Sequence, residues 1–215
     1  MLDSAGRPIC DAAADWLRAR ARLMPGALGE IAEPARGEYA HEWAPVQLLG
    51  RRMACLPPEL WAALLRWESG YAILVSGASR YEPGQFDFRG RSLRGVALIS
   101  LEDLAGKAPG SALHVMAHLV DHHLGCGGEA QGAWLSEGGG MVPAWREAGQ
   151  RLARLFELGY GLDEAARSSK REYFAESLAA YCRERRALNV ADPQIAKWFR
   201  TTLWSPRFWV RERAR

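Results

Sequence analysis

The sequence is nearly devoid of lysine: of its 28 basic residues only Lys107, Lys170 and Lys197 are not arginine. The net charge is just +3, too little for the field by which a nucleic-acid domain holds a phosphate backbone. Arginines gather at Arg183, Arg185 and Arg186 and again at Arg207, Arg211, Arg213 and Arg215. With no nucleic-acid module around them they read as solvated helix ends and a basic tail, and no nucleic-acid partner is expected. Cysteine is scarce too. Cys10, Cys55, Cys126 and Cys182 include no C-x-x-C pair, which excludes a zinc ribbon and a disulfide-stapled scaffold. They read as free thiols in a reducing compartment, with Cys126 a small buried hydrophobe. No apolar run approaches the length of a membrane span. The first twenty residues lack a basic start followed by an apolar stretch, so a cytoplasmic location is expected. Internal repeats are absent.

What is present is an ordinary globular composition, 48% hydrophobic and 25% charged, with nine tryptophans. So many indoles imply an aromatic core or an exposed binding surface. The length suits one domain with appendages. A short amphipathic helix from Asp11 to Leu23 opens an N-terminal extension, residues 1–54. The compact domain is expected over 55–205 and the basic tail over 206–215. Within the domain, two apolar runs bounded by turn residues, 71–76 and 95–100, read as buried strands. The intervening 77–93, rich in Gly, Arg, Ser and Pro, reads as a loop, and 129–141, with Gly138, Gly139 and Gly140, as a flexible one. Helical spacing marks 142–158, 171–186 and a last helix from Asp192-Pro193 to about Leu203. The fold class is therefore α+β and mainly helical, with a small sheet of three or four strands.

The chemistry concentrates in LHVMAHLVDHHLGC, residues 113–126, which holds four of the five histidines. His114 and His118 are four apart, so on a helix their imidazoles share one face, about 40° apart. Asp121 falls within about 20° of His114's direction by the same turn angle. Two imidazoles and an acid able to hold an imidazole N–H are the parts of a zinc site. The zinc-peptidase form of such a helix is H-E-x-x-H, its Glu serving as general base. Here that position is Val115, which cannot accept a proton. A third ligand is needed, and REYFAESLAAYC, residues 171–182, offers Glu176, set among Phe174, Ala175, Leu178 and Ala179. A carboxylate in apolar surroundings calls for a cation or a donor. Glu172, one turn earlier, is the other candidate. As plain surface acids, either would pair with Arg167, Lys170 or Arg171.

LHVMAHLVDHHLG resembles the L-H-E-F-G-H-A-L-D-H-x-L-G helix of the anthrax-lethal-factor-like (ATLF) zinc peptidases, the gluzincin group that includes the Pro-Pro endopeptidases. EYFAESLAAY is similar to their E-Y/F-F-A-E-A-F-A-x-Y helix. The resemblance covers roughly residues 55–205. It implies a zincin-like domain whose two site helices pack together, with one Zn2+ held by His114, His118 and Glu176 and with Asp121 behind them. It also implies a substrate edge strand at 95–100 (Gly95, Val96, Ala97, Leu98) that binds extended peptide by strand addition. The family's tyrosine, two turns before the Glu ligand, falls on Ser169. Tyr173, one turn nearer, is the remaining candidate for an oxyanion donor. General-base assistance is worth about 10²–10⁴-fold and an oxyanion donor about 10²–10³-fold. The expected protein is thus a zinc-binding metallopeptidase relative, impaired in hydrolysis, that binds a peptide or protein in its cleft. Two alternatives stand beside it. One is an active zinc hydrolase that takes its base from Glu129, Glu137 or Glu172. The other is a metal-free structural or interaction protein.

Overall fold

The structure, a computed structural model, describes residues 10–106 and 110–213. The first nine residues and the last two of the basic tail lie outside it. The described residues form two compact units, divided between Met116 and Ala117. Helices α1 (Asp11–Arg20), α2 (Ala27–Glu30), α3 (Glu33–Arg36), α4 (Ala44–Arg52), α5 (Pro58–Leu64) and α6 (Leu101–Ala105) belong to the first unit. So do strands β1 (Ala21–Leu23), β2 (Tyr71–Val75), β3 (Arg80–Phe88) and β4 (Arg91–Ser100). Helix α7 (Gly110–Cys126) runs unbroken across the division. The second unit continues with a 3-10 turn (Leu135–Glu137), α8 (Pro143–Phe156), α9 (Glu164–Ser168), α10 (Lys170–Arg183), α11 (Arg185–Ala191), α12 (Pro193–Thr201) and α13 (Pro206–Arg213). The fold is thus mixed α+β and mainly helical, with one four-stranded sheet among the described residues. No described helix is long and apolar enough to cross a membrane.

The sheet runs β1-β2-β4-β3. β1, β2 and β4 are parallel, and β3 returns antiparallel to β4. Ile73, Val96, Leu98 and Phe88 form the core of one face, with Met24, Tyr71, Val75, Phe86 and Leu93 packed around them. Ala72, Leu74, Ala97 and Ile99 are equally buried. Burial on both faces is why β2 and β4 read as continuous apolar runs rather than alternating ones. The stretch expected to be a loop, 77–93, is instead the hairpin of β3 and β4. Its two-residue turn is Arg89-Gly90, with φ of 53° and 73°. Two positive values define the primed turn whose twist matches paired strands, and arginine in place of asparagine hid it. β3 also carries Pro83-Gly84 at a register shift between Glu82 and Gln85, where the missing proline N–H costs no ladder bond.

Residues 10–54 are not an extension laid over the domain. β1 supplies a strand to the sheet, and α1 packs on α5 with Trp16 and Trp61 at 5.1 Å between ring centroids. Arg20 closes the corner, donating to the carbonyls of Trp67 (2.6 Å) and Glu68 (2.8 Å) and to the Tyr71 hydroxyl (2.8 Å). The expected boundary near Cys55 thus lies inside the first unit.

The second unit is built around aromatic rings. Trp145 meets Phe208 at 4.5 Å and Trp209 at 4.9 Å. Phe199 packs on Phe174 and Tyr181. The indoles of Trp198 and Trp209 donate to the carbonyls of Ala148 (3.0 Å) and Leu203 (2.9 Å), which removes the cost of burying an N–H. The start of the expected tail is therefore a helix, α13, docked by Phe208 and Trp209. Within 129–141, residues 134–136 and Gly140 are buried, and the backbone there lies close against its neighbours. A Cβ at Gly125 would lie 2.2 Å from the Leu135 nitrogen, and one at Gly149 would lie 2.3 Å from the Gly139 carbonyl oxygen. These glycines serve close backbone approach.

Candidate metal centre

On α7, Ala117 to Leu124 are all buried, and Leu119, Val120, Asp121, His122 and His123 are fully so. Imidazoles at such depth need partners. A carbonyl only accepts, so the nitrogen facing it carries the proton. His123 Nδ1 thus donates to the Leu119 carbonyl at 2.9 Å, and His122 Nε2 donates to the Glu129 carbonyl at 2.9 Å. Burial holds the His122 pKa below its ordinary value, in keeping with that neutral ring. Cys126 donates to the carbonyls of His122 and Glu129, so it is structural. These groups are committed to holding the end of α7.

His114 and His118 are arranged differently. One nitrogen of each, together with a carboxylate oxygen of Glu172, forms a group of three potential ligand atoms within 4.8 Å of one another. His118 Nε2 and Glu172 Oε1 are 3.4 Å apart. Ligands about 2.1 Å from a tetrahedral zinc lie about 3.4 Å from each other. The pair is therefore already spaced as two corners of such a site. Two imidazoles and a carboxylate suit zinc, and they suit iron, nickel or cobalt as well. His114 stands on the same unbroken helix one turn before His118, as the spacing requires.

The carboxylate in this group is Glu172. Glu176, the expected ligand, stands one turn further along α10, half-buried and outside the group. Ser169 explains how Glu172 is presented. It caps α10, its hydroxyl accepting from the Glu172 amide at 3.1 Å. Glu172 therefore sits in the first turn, where the helix dipole favours a negative side chain. Serine at the position where a tyrosine was looked for is thus a helix cap. Sequence did hold a signal, the S-x-x-E of a helix start, but it points to a cap rather than to a ligand.

Three further expectations are corrected. Tyr173 is 1% exposed, and its hydroxyl donates to Asp192 Oδ2 at 2.6 Å. Burial and that bond push its pKa well up. It is a core strut and has no hydroxyl to offer an oxyanion. Asp121 makes no hydrogen bond to His114 or His118. Its two oxygens accept from the amide (2.7 Å) and hydroxyl (2.6 Å) of Ser136. Burial pushes its pKa up to about 7, and the Ser136 bonds offset this only in part. The strand holding Gly95, Val96, Ala97 and Leu98 is not an edge. Val96, Ala97 and Leu98 of β4 pair with Tyr71, Ala72 and Ile73 on one side and with Glu82, Tyr81 and Arg80 on the other, which closes β4 to an added strand. Val115 is 3% exposed, part of the core.

Sequence reasoning missed the wall beside His118. Trp134 stacks on His122 (4.8 Å, 25° between planes) and meets His118 edge-on at 5.9 Å. The Arg171 guanidinium lies over its ring at 4.0 Å, and Arg171 Nε donates to Glu137 Oε1 at 2.8 Å. Glu137 Oε2 accepts from the Trp134 amide at 3.1 Å. Burial pushes the Glu137 carboxyl up, but the Arg171 and Trp134 bonds outweigh it and leave its pKa below the ordinary range.

Compared with known proteins, the chain matches no family model, and no curated protein or solved structure matches it.

Proposed function

We propose that the protein binds one divalent metal ion, zinc in this reading, through His114, His118 and Glu172, and that it is a zincin-like metallopeptidase relative impaired in hydrolysis. The convergence of these three donors, two of them already 3.4 Å apart, carries the reading. When bound, the metal would act as a Lewis acid toward a carbonyl or water. The residues around it supply little else. Val115 accepts no proton, Tyr173 is committed to Asp192, and Glu137 is held by Arg171. Binding of a peptide or protein is therefore the better-supported outcome than turnover. Strand addition, if used, falls to β1 or β3, the two sheet edges.

Metal analysis of the purified chain after zinc loading and desalting tests this. About one zinc per chain is expected, lost in His118→Ala and in Glu172→Gln but retained in Glu176→Gln. No zinc in the wild type sinks the reading. Loss in Glu176→Gln with retention in Glu172→Gln returns the third ligand to Glu176 and leaves Glu172 as the nearest available base.

A further inference from the structure

The connection between α7 and α8 is glycine-rich, yet the 3-10 turn in its middle is tied to both α7 and α10. Toward α7, Ser136 donates twice to the buried Asp121 carboxyl, from its amide and its hydroxyl. Toward α10, the same turn meets Arg171. Trp134 stacks on His122, and the Arg171 guanidinium lies over its ring. Glu137 closes the loop by accepting from Arg171 Nε and from the Trp134 amide. Arg171 is the residue before Glu172, so whatever fixes its backbone fixes the turn from which Glu172 reaches His118.

We infer that this connection is a clamp for the candidate metal centre: Trp134, Glu137 and Arg171 are positioning residues that set Glu172 at its distance from His118. The inference deepens the metal reading above and rests on it for its functional meaning, while the clamp itself has a readout that needs no metal. Two independent supports favour a clamp over incidental surface pairing. A planar guanidinium that stacks and donates at once cannot be replaced by a point charge. The stack also ends on His122, whose ring is locked by its bond to Glu129, so the pinned turn is referred back to the helix that carries His118. Supports of this kind behind metal ligands change affinity about 10–100-fold when removed.

The test uses the full chain, with Arg171→Ala, Arg171→Lys and Glu137→Gln beside the wild type. Cobalt(II) is the probe, its affinity followed by visible absorption. Amide hydrogen exchange is measured separately on the metal-free proteins. Removing the clamp should weaken cobalt binding about 10–100-fold in Arg171→Ala, with Arg171→Lys nearer to Arg171→Ala than to wild type. Exchange should speed up at 134–137 and in the first turn of α10, with the far-UV spectrum and cooperative melt retained. Unchanged exchange in metal-free Arg171→Ala overturns the clamp, as does cobalt affinity equal to wild type. A wild type that takes up no cobalt refutes the metal reading. In that case faster exchange would leave a purely structural tie, and the positioning role would fall with it. Should Arg171→Ala not fold, Glu137→Gln, which keeps the stack but loses the ion pair and, with a single acceptor oxygen, one of the two bonds to Arg171 and Trp134, decides the same question.

Discussion

Replacing Asp121 by asparagine should remove a pH dependence of stability rather than stability itself. The Asp121 carboxyl is fully buried, and its pKa is raised from 3.8 to about 7. The folded state therefore binds the proton more tightly than the unfolded chain. Between about pH 4 and 7 the folded protein keeps a proton that the unfolded chain has released, so stability falls as pH rises through that window. The contribution is complete below about pH 4 and fully lost a little above pH 7. From pH 5 to pH 7 the change is about 2 kcal/mol, at 1.36 kcal/mol for each pH unit over which the states differ by one proton. Asparagine is isosteric and uncharged. Its carbonyl can accept from the Ser136 amide as Oδ1 does, and its NH2 can donate to the Ser136 hydroxyl. Urea unfolding at pH 5, 6 and 7 with a chelator present gives the two curves, and their difference cancels every other titrating group, the depressed His122 included. Asp121→Asn should be less stable than, or equal to, the wild type at pH 5 and should gain on it by about 2 kcal/mol at pH 7. A difference that stays flat across the range would refute the reasoning and mean that the carboxylate is ionised and satisfied by Ser136.

Tyr173→Phe keeps the ring and removes one donor from the buried Asp192, so urea unfolding should show a loss of about 1–3 kcal/mol; an unchanged protein would reopen a role for the hydroxyl elsewhere. Gly149→Ala in α8 should gain about 1 kcal/mol by helix propensity alone. The 2.3 Å approach of a Cβ to the Gly139 oxygen should reverse this into a loss of about 1–3 kcal/mol, read as a lower urea midpoint. A gain would show that the close approach relaxes easily.

Both site helices were legible in the sequence. The four-residue histidine spacing and the period of EYFAESLAAY place them, and the structure has α7 and α10 where that reasoning put them. The choice between Glu172 and Glu176 was not legible, because apolar neighbours in sequence made Glu176 look buried. What brings Glu172 near His118 is the start of α10, where Ser169 caps the helix and leaves Glu172 in its first turn. Partners distant in sequence left no trace: nothing in the chain announces that Ser136 faces Asp121 or that Asp192 faces Tyr173. The two missed strands failed for a common reason. β1 is three residues at the end of an arginine-rich helix, and β3 is a polar edge interrupted by Pro83-Gly84. Neither has the apolar run that made β2 and β4 visible. The packed turn at 134–137 inside the 129–141 loop was not visible, because glycine content looks the same whether it leaves space or lets backbones touch.

The sheet edges carry one more consequence. An edge strand exposes unpaired backbone groups that can recruit another copy of the chain. β1 offers only Ala21, Arg22 and Leu23, too short to nucleate a partner. β3 is nine residues long, but Pro83 removes a donor near its middle, the register breaks there, and Arg80, Glu82 and Asp87 put charge along it. The sheet therefore resists growth on either side. Backbone pairing along β3 is confined to a few residues on one side of the bulge, which makes this edge a poor template for aggregation.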